Sequence, residues 1–244
     1  MMKNILWLAC CSIILFSACD KRMATADNPP DPAGPVKPGT PPIPDKQVTA
    51  GVQGLVTDEN NDPVTGAQVI CAGTTAVTDK YGVFQLTEIN MKEAAAVVTV
   101  KKNGYFNGVR TFKVTGAGKL QFIQVQLLPK SVAGQFDAAT GGNITAPNGQ
   151  FSFMPKQVLD ADNKPYTGKV SLLYAAINPE SADFADKMPG DLRAVNDRNE
   201  LVGLQSFGMM ALELQGANGE KLHLDGVNAV NFRMMIPASL KSAA

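Results

Sequence analysis

Between residues 48 and 128, apolar and polar positions alternate with period two in short runs, each broken by a cluster of Asn, Asp, Gly or Pro. Successive side chains of an extended strand face opposite sides, so such runs predict half-buried strands and not helices. The runs fall at 48–56, 67–72, 74–77, 83–87, 95–101, 105–114 and 120–128. Residues 58–66 make the loop after the first run. Residues 74–77 and 83–87 are expected to pair as a hairpin over Thr78-Asp79-Lys80-Tyr81-Gly82, with Gly82 at a positive-φ position. Asn103-Gly104 predicts a second hairpin. Seven short strands without a helical period predict a β-sandwich.

The same texture resumes at 141–144, 148–153, 168–177, 206–214, 221–224 and 229–236. A polar stretch over 178–191 interrupts it, with one helical turn expected near 182–187. The fold class is therefore all-β, two tandem antiparallel β-sandwiches, with domain limits at 48–130 and 131–244. Methionines 209 and 210, and 234 and 235, are sequence neighbours; strand alternation sends each pair to opposite faces, which argues against a methionine patch.

The N-terminal segment has a different character. Residues 5–18 are apolar or small and follow a single charge at Lys3. Fourteen residues fall short of the roughly 20 that a spanning helix needs, so 1–18 is expected to be a signal peptide. Its end, Leu15-Phe16-Ser17-Ala18-Cys19, resembles the lipobox of bacterial lipoproteins, with Phe16 where Leu, Val or Ile is usual. The resemblance implies cleavage before Cys19 and acylation of that residue, with more than one acyl chain, which gives stable anchoring. Residues 28–46 then hold eight of the sixteen prolines. Proline fixes φ and lacks a donor, so 19–47 is expected to be an extended tether.

Charge narrows the partners. Lys+Arg and Asp+Glu each number 22, which gives no cationic excess for nucleic acid. Three of the four cysteines lie within the first 19 residues, leaving Cys71 unable to form an internal disulfide; beside Ala67 and Val69 it is expected to be buried. With one histidine, His223, and no nucleophile, base and orienter trio, the chain is expected to be non-enzymatic, with no catalytic residue, metal or cofactor. Asp58, Asn60 and Asp62 are spaced as calcium loops begin, but Pro63 and Val69 occupy the positions that require Gly and Glu. They remain candidate binding-loop residues, as do Asp191 and Arg193 in the Pro-Gly segment.

Residues 54–58, 62–69, 78–84, 98–101 and Gly104-Tyr105 together resemble the carboxypeptidase regulatory-like domain, which implies a transthyretin-like sandwich and no particular activity. Residues 188–194 and 204–214 resemble a segment that follows that domain in surface lipoproteins of Bacteroidota. In those relatives further sequence follows, so the second domain is expected to be a short or truncated version. The resemblances imply a lipid-anchored cell-envelope protein, outer membrane and surface-exposed, that binds or spaces an envelope partner. The alternatives are a glycan-binding lipoprotein, with Tyr81 and Tyr166 as the aromatic candidates, and, third, a fragment of an envelope hydrolase.

Overall fold

The computed structural model describes residues 46–243; the predicted signal peptide, Cys19 and the tether up to residue 45 lie outside the described residues. The first seven strands are β1 (Gln47–Thr57), β2 (Gln68–Cys71), β3 (Thr74–Val77), β4 (Val83–Lys92), β5 (Ala96–Lys101), β6 (Gly108–Phe112) and β7 (Leu120–Gln126). They form two sheets, β4-β1-β7 and β3-β2-β5-β6. Alternate residues of each strand point between the sheets: Val52 and Val56 from β1 and Val125 from β7 meet Val69, Val98 and Val100, all essentially solvent-free. Each such side chain contributes about 1.5–3 kcal/mol of hydrophobic stabilisation. Cys71, only 1% exposed, belongs to this core as expected.

Two features depart from the sequence expectation. Strand β7 runs parallel to β1, with Gly51 opposite Leu120 and Thr57 opposite Gln126, so this pair is an exception to the antiparallel pattern. The 74–77/83–87 hairpin does not form. Strand β3 pairs with β2 across the tight turn Ala72-Gly73, both at positive φ, whereas β4 pairs with β1 in the opposite sheet. The tie that separates them is the buried Thr78 hydroxyl, which accepts from the Ala67 N–H at 2.8 Å and donates to the Val64 carbonyl at 2.6 Å. It holds the end of β3 beside β2 while the next turn crosses to the other sheet.

The second half contains β8 (Ser131–Asp137), β9 (Gly142–Ala146), β10 (Gly149–Phe153), β11 (Val158–Leu159), β12 (Lys169–Ile177), a one-turn helix α1 (Phe184–Lys187), and the small hairpin β13 (Arg193–Val195) and β14 (Leu201–Gly203). Strands β15 (Met209–Gln215), β16 (Lys221–Leu224) and β17 (Asn231–Met234) follow, then a 3-10 helix, Ala238–Ala243. Sheets β11-β16-β15-β12-β8 and β17-β10-β9 enclose a core richer in aromatics, with Phe136 stacked on Phe153 at 4.3 Å between ring centroids.

One turn recurs four times. Asp58, Asp79, Asp160 and Asn196 each use Oδ1 to accept the backbone N–H groups two and four residues on, at 2.8–3.0 Å. The residue three places after each, Asn61, Gly82, Asn163 or Asn199, has φ between 62° and 72°. Asn and Gly tolerate that left-handed geometry, which explains the spelling D-x-x-N, D-x-x-G or, at Asn196, N-x-x-N. Asp58 and Asp160 are further followed by Pro and Thr-Gly at the same offsets, so corresponding corners of the two sandwiches are built alike.

Candidate functional site

The two candidate loops lie apart. Asp58 follows Thr57 at the C-terminal end of β1, whereas the 178–193 segment reaches Ala94, just past the β4 residue that pairs with Gln47 at the other end of β1. The Asp58 carboxylate is occupied by the turn itself, and the loop is further tied by Gln126 Nε2, which donates to the Asp58 carbonyl at 2.8 Å. Among the described residues no group of three or more His, Cys, Asp or Glu is placed to hold a metal ion.

Asp191 and Arg193 come together. Arg193 Nε donates to Asp191 Oδ2 at 2.7 Å, and its Nη2 donates both to the same carboxylate and, at 2.7 Å, to the Ala94 carbonyl of the first sandwich. Leu192 between them takes φ 57°. From the other side, Arg110 of β6 donates to the Ala185 carbonyl. The loop of the second sandwich is thereby pinned across β6 and β7, the edge strands of the first. Between them opens a cleft of about 620 Å³ lined by Arg110, Phe112, Phe122, Gln124, Asp186 and Asp191. Phe122 is 65% exposed there, an unusual exposure for a large aromatic.

The Arg193 hydrogen bond holds the Asp191 carboxyl below the usual 3.8, against the opposing effect of burial; the Arg193 backbone N–H and the charges of Arg193 and Arg110 reinforce it. A depressed folded-state pKa means stabilisation that is complete above the ordinary value and lost as pH falls through the depressed one. We predict that protection of residues 178–193 against pepsin holds at pH 4.5 and above and declines below about 3.8. Arg193→Ala should make the loop about five-fold easier to cleave by thermolysin at neutral pH, consistent with a partly exposed pair worth up to about 1 kcal/mol. Unchanged cleavage would show that the pair does not hold the loop.

A second tie lies at the junction. Lys130 Nζ donates to Glu213 Oε1 at 2.7 Å with both side chains largely covered, and stands 5.7 Å from the Phe106 ring. Beside it, a narrow cavity of about 80 Å³ is lined by Phe106 and Leu128 from the first sandwich and Ile177, Pro189 and Met209 from the second.

Other residues singled out from sequence take structural places. Tyr81 is exposed, with Lys80 Nζ 4.8 Å from its ring, but Tyr166 packs on the second core and its hydroxyl accepts the Ala217 N–H at 3.0 Å. The two do not form a joint platform. Phe122 is the aromatic that sequence reading missed; it stands on the outward face of β7, alternating with the buried Gln121 and Ile123. His223 is exposed, 3.0 Å from Asn163 Oδ1. Burial pushes the Cys71 thiol up, away from thiolate chemistry. The methionine expectation is corrected: Met209, Met234 and Met235 line one pocket. Strand β17 ends at Met234, so alternation no longer governs Met235.

No protein-family model matches the chain. Cartilage intermediate layer protein 2 of Mus musculus is 26% identical over 180 residues, covering 70% of this chain but 16% of that protein. Its Homo sapiens counterpart is 32% identical over 92 residues, covering 37% of this chain and 7% of its own length. The chain thus spans well under a fifth of these relatives. Among solved structures, a protein of unknown function from Bacteroides fragilis, described as membrane-associated, covers 79% of this chain at 8% identity and a TM-score of 0.28, with 84% of its own chain covered. A Bacteroides uniformis protein described as carbohydrate-binding covers 77% at 9% identity and a TM-score of 0.26, with 100% of its own chain covered.

Proposed function

We propose that this chain is a lipid-anchored cell-envelope protein of the outer membrane, whose paired sandwiches bind or space an envelope partner without catalysing a reaction. The observation that carries the reading is the clamped loop: Arg193 and Arg110 tie the two sandwiches across the edge of β6 and β7 and leave a formed cleft between them. Binding functions concentrate on loops held by a rigid scaffold, and this loop is held at Ala185 and at Arg193. The lipobox-like Cys19 and the proline tether support the anchoring part. The exposed His223 and buried Cys71 support the non-enzymatic part, since neither stands beside a partner that would activate it. Among the described residues no helix is long and apolar enough to cross a membrane.

The glycan reading is favoured by one observation, the exposed Phe122 in the cleft between Arg110 and Gln124. Aromatic faces stack on the apolar faces of sugars, while neighbouring amide and guanidinium groups donate to hydroxyls.

Crosslinking pull-down from intact cells, with protease shaving, tests both readings. The intact chain should sediment with membranes and crosslink a stoichiometric envelope protein, and Cys19→Ala should move it to the soluble fraction. Membrane retention of Cys19→Ala would overturn the anchor. Loss of the crosslink on adding envelope polysaccharide would transfer the assignment to the glycan reading.

A further inference from the structure

We infer that the second sandwich carries a small-molecule site at the end of β12, shaped for an uncharged apolar ligand bearing one hydrogen-bond acceptor. The pocket holds about 310 Å³, the lower end of the range for small-ligand sites. Its walls are Ile177, Phe207, Met209, Met234, Met235 and Ile236, contributed by three separate parts of the chain. Methionine supplies flexible, polarizable surface that adapts to differently shaped apolar groups. Gly208 takes φ 132°, a backbone conformation that side-chain-bearing residues rarely adopt, and lies in van der Waals reach of the Met234 thioether.

The polar group that gives this pocket a direction is Tyr174. Its side chain is 94% buried, and its hydroxyl is solvent-free without a satisfactory hydrogen-bond partner. Asn148 also lines the pocket, and with no hydrogen-bond partner for the Tyr174 oxygen, its O–H proton is left without an acceptor. Burial raises the Tyr174 pKa further above the physiological range, which keeps it a donor. An unmet donor in an apolar site is costly, and a carbonyl or ether oxygen removes that cost once the side chains that now cover the hydroxyl move aside to admit it.

The charge of the ligand follows from the rim. Glu180 stands there, its carboxylate accepting from the Ser239 hydroxyl and its N–H donating to Asn178 Oδ1 at 3.0 Å. It disfavours an anion, while a cation would leave water for walls of Met, Ile and Phe with only an already engaged carboxylate in reach. The site is independent of the Phe122 cleft and of the identity of any envelope partner.

Methyl NMR of the full-length chain labelled with 13C at methionine provides the test. Titrating acetophenone should shift the methyl signals of Met209, Met234 and Met235 and leave those of the remaining methionines in place. Tyr174→Phe removes one unpaired oxygen and keeps the ring, so it should fold; it should weaken acetophenone about five-fold and leave ethylbenzene, which lacks an acceptor, unchanged. Shifts spread evenly over all methionines would overturn the site. Equal acetophenone affinity in Tyr174→Phe would overturn the role of the hydroxyl.

Discussion

Gly54→Val should destabilise the first sandwich by about 3 kcal/mol or more and lower its melting temperature by about 15 °C. Gly54 sits in the central strand, opposite Phe84 on β4 and Ile123 on β7. A β-carbon added there would stand 2.3 Å from the Ile123 carbonyl oxygen and 2.8 Å from the Phe84 ring. Neither neighbour can yield cheaply. The carbonyl belongs to the parallel β1–β7 ladder, and Phe84, 2% exposed, is packed in the core. Gly51→Ala is the control: its closest contact, at 2.7 Å, is the Leu120 Cδ1 methyl, the end of a half-exposed side chain that can rotate away. It should cost about 1 kcal/mol. Circular dichroism melts of the two variants decide the matter, and equal losses would show that the ladder yields more easily than its geometry implies.

That contrast also marks what sequence could convey. The alternation of Val48, Ala50, Val52 and Val56 announces a strand with one buried face, and the structure has it. Alternation does not say which strand lies alongside. The Asp79 turn closes with the same Oδ1 bonds as Asp160, yet it carries the chain from one sheet to the other, whereas the Asp160 turn joins β11 and β12 of the same sheet. A local turn specifies its own hydrogen bonds and its one positive-φ residue; the partner is chosen elsewhere, here by the Thr78 hydroxyl eleven and fourteen residues from its targets. The parallel pairing of β7 was hidden for the same reason, since its register to β1 spans about seventy residues, from Gly51 to Leu120.

The candidate residues divide along the same line. Asp191 and Arg193 stood out in the sequence as candidate binding-loop residues, but the Ala94 carbonyl that makes them a clamp lies 99 positions from Arg193. Asp58 was conspicuous because of its spacing with Asn60 and Asp62, and the repeat at Asp160 and Asn196 shows that this spacing encodes a turn. That internal repeat was present in the sequence as D-x-x-N followed by Pro and Thr-Gly. The Tyr174 pocket was not legible: it needs Met209 from β15 beside Met234 and Met235 from the end of β17, a meeting that only the completed sandwich brings about.

Phe151→Ala should cost the second sandwich about 3–5 kcal/mol. Phe151 is 2% exposed in the middle strand of β17-β10-β9, edge-on to Tyr174 at 6.0 Å and stacked near Phe232 at 6.5 Å. Truncation removes both aromatic contacts, about 0.5–1.5 kcal/mol each, and leaves a void between two sheets that cannot close on it without shifting strands. Phe151→Leu, which retains most of the volume, should lose no more than about 1.5 kcal/mol. Whether that loss stays in one sandwich depends on the seam. Among the described residues the ties between them include the Lys130–Glu213 ion pair, the Arg193 and Arg110 clamps, and a narrow apolar contact beside a cavity of about 80 Å³. Such an interface is small against either core, so each sandwich is expected to open on its own. Hydrogen exchange read peptide by peptide should then show Phe151→Ala releasing β10 and β12 while β1 and β5 stay protected, and Gly54→Val the reverse. If both variants release both sets of strands together, the clamp at Ala94 couples the cores into one cooperative unit, and a partner seated in the Phe122 cleft would stabilise both at once.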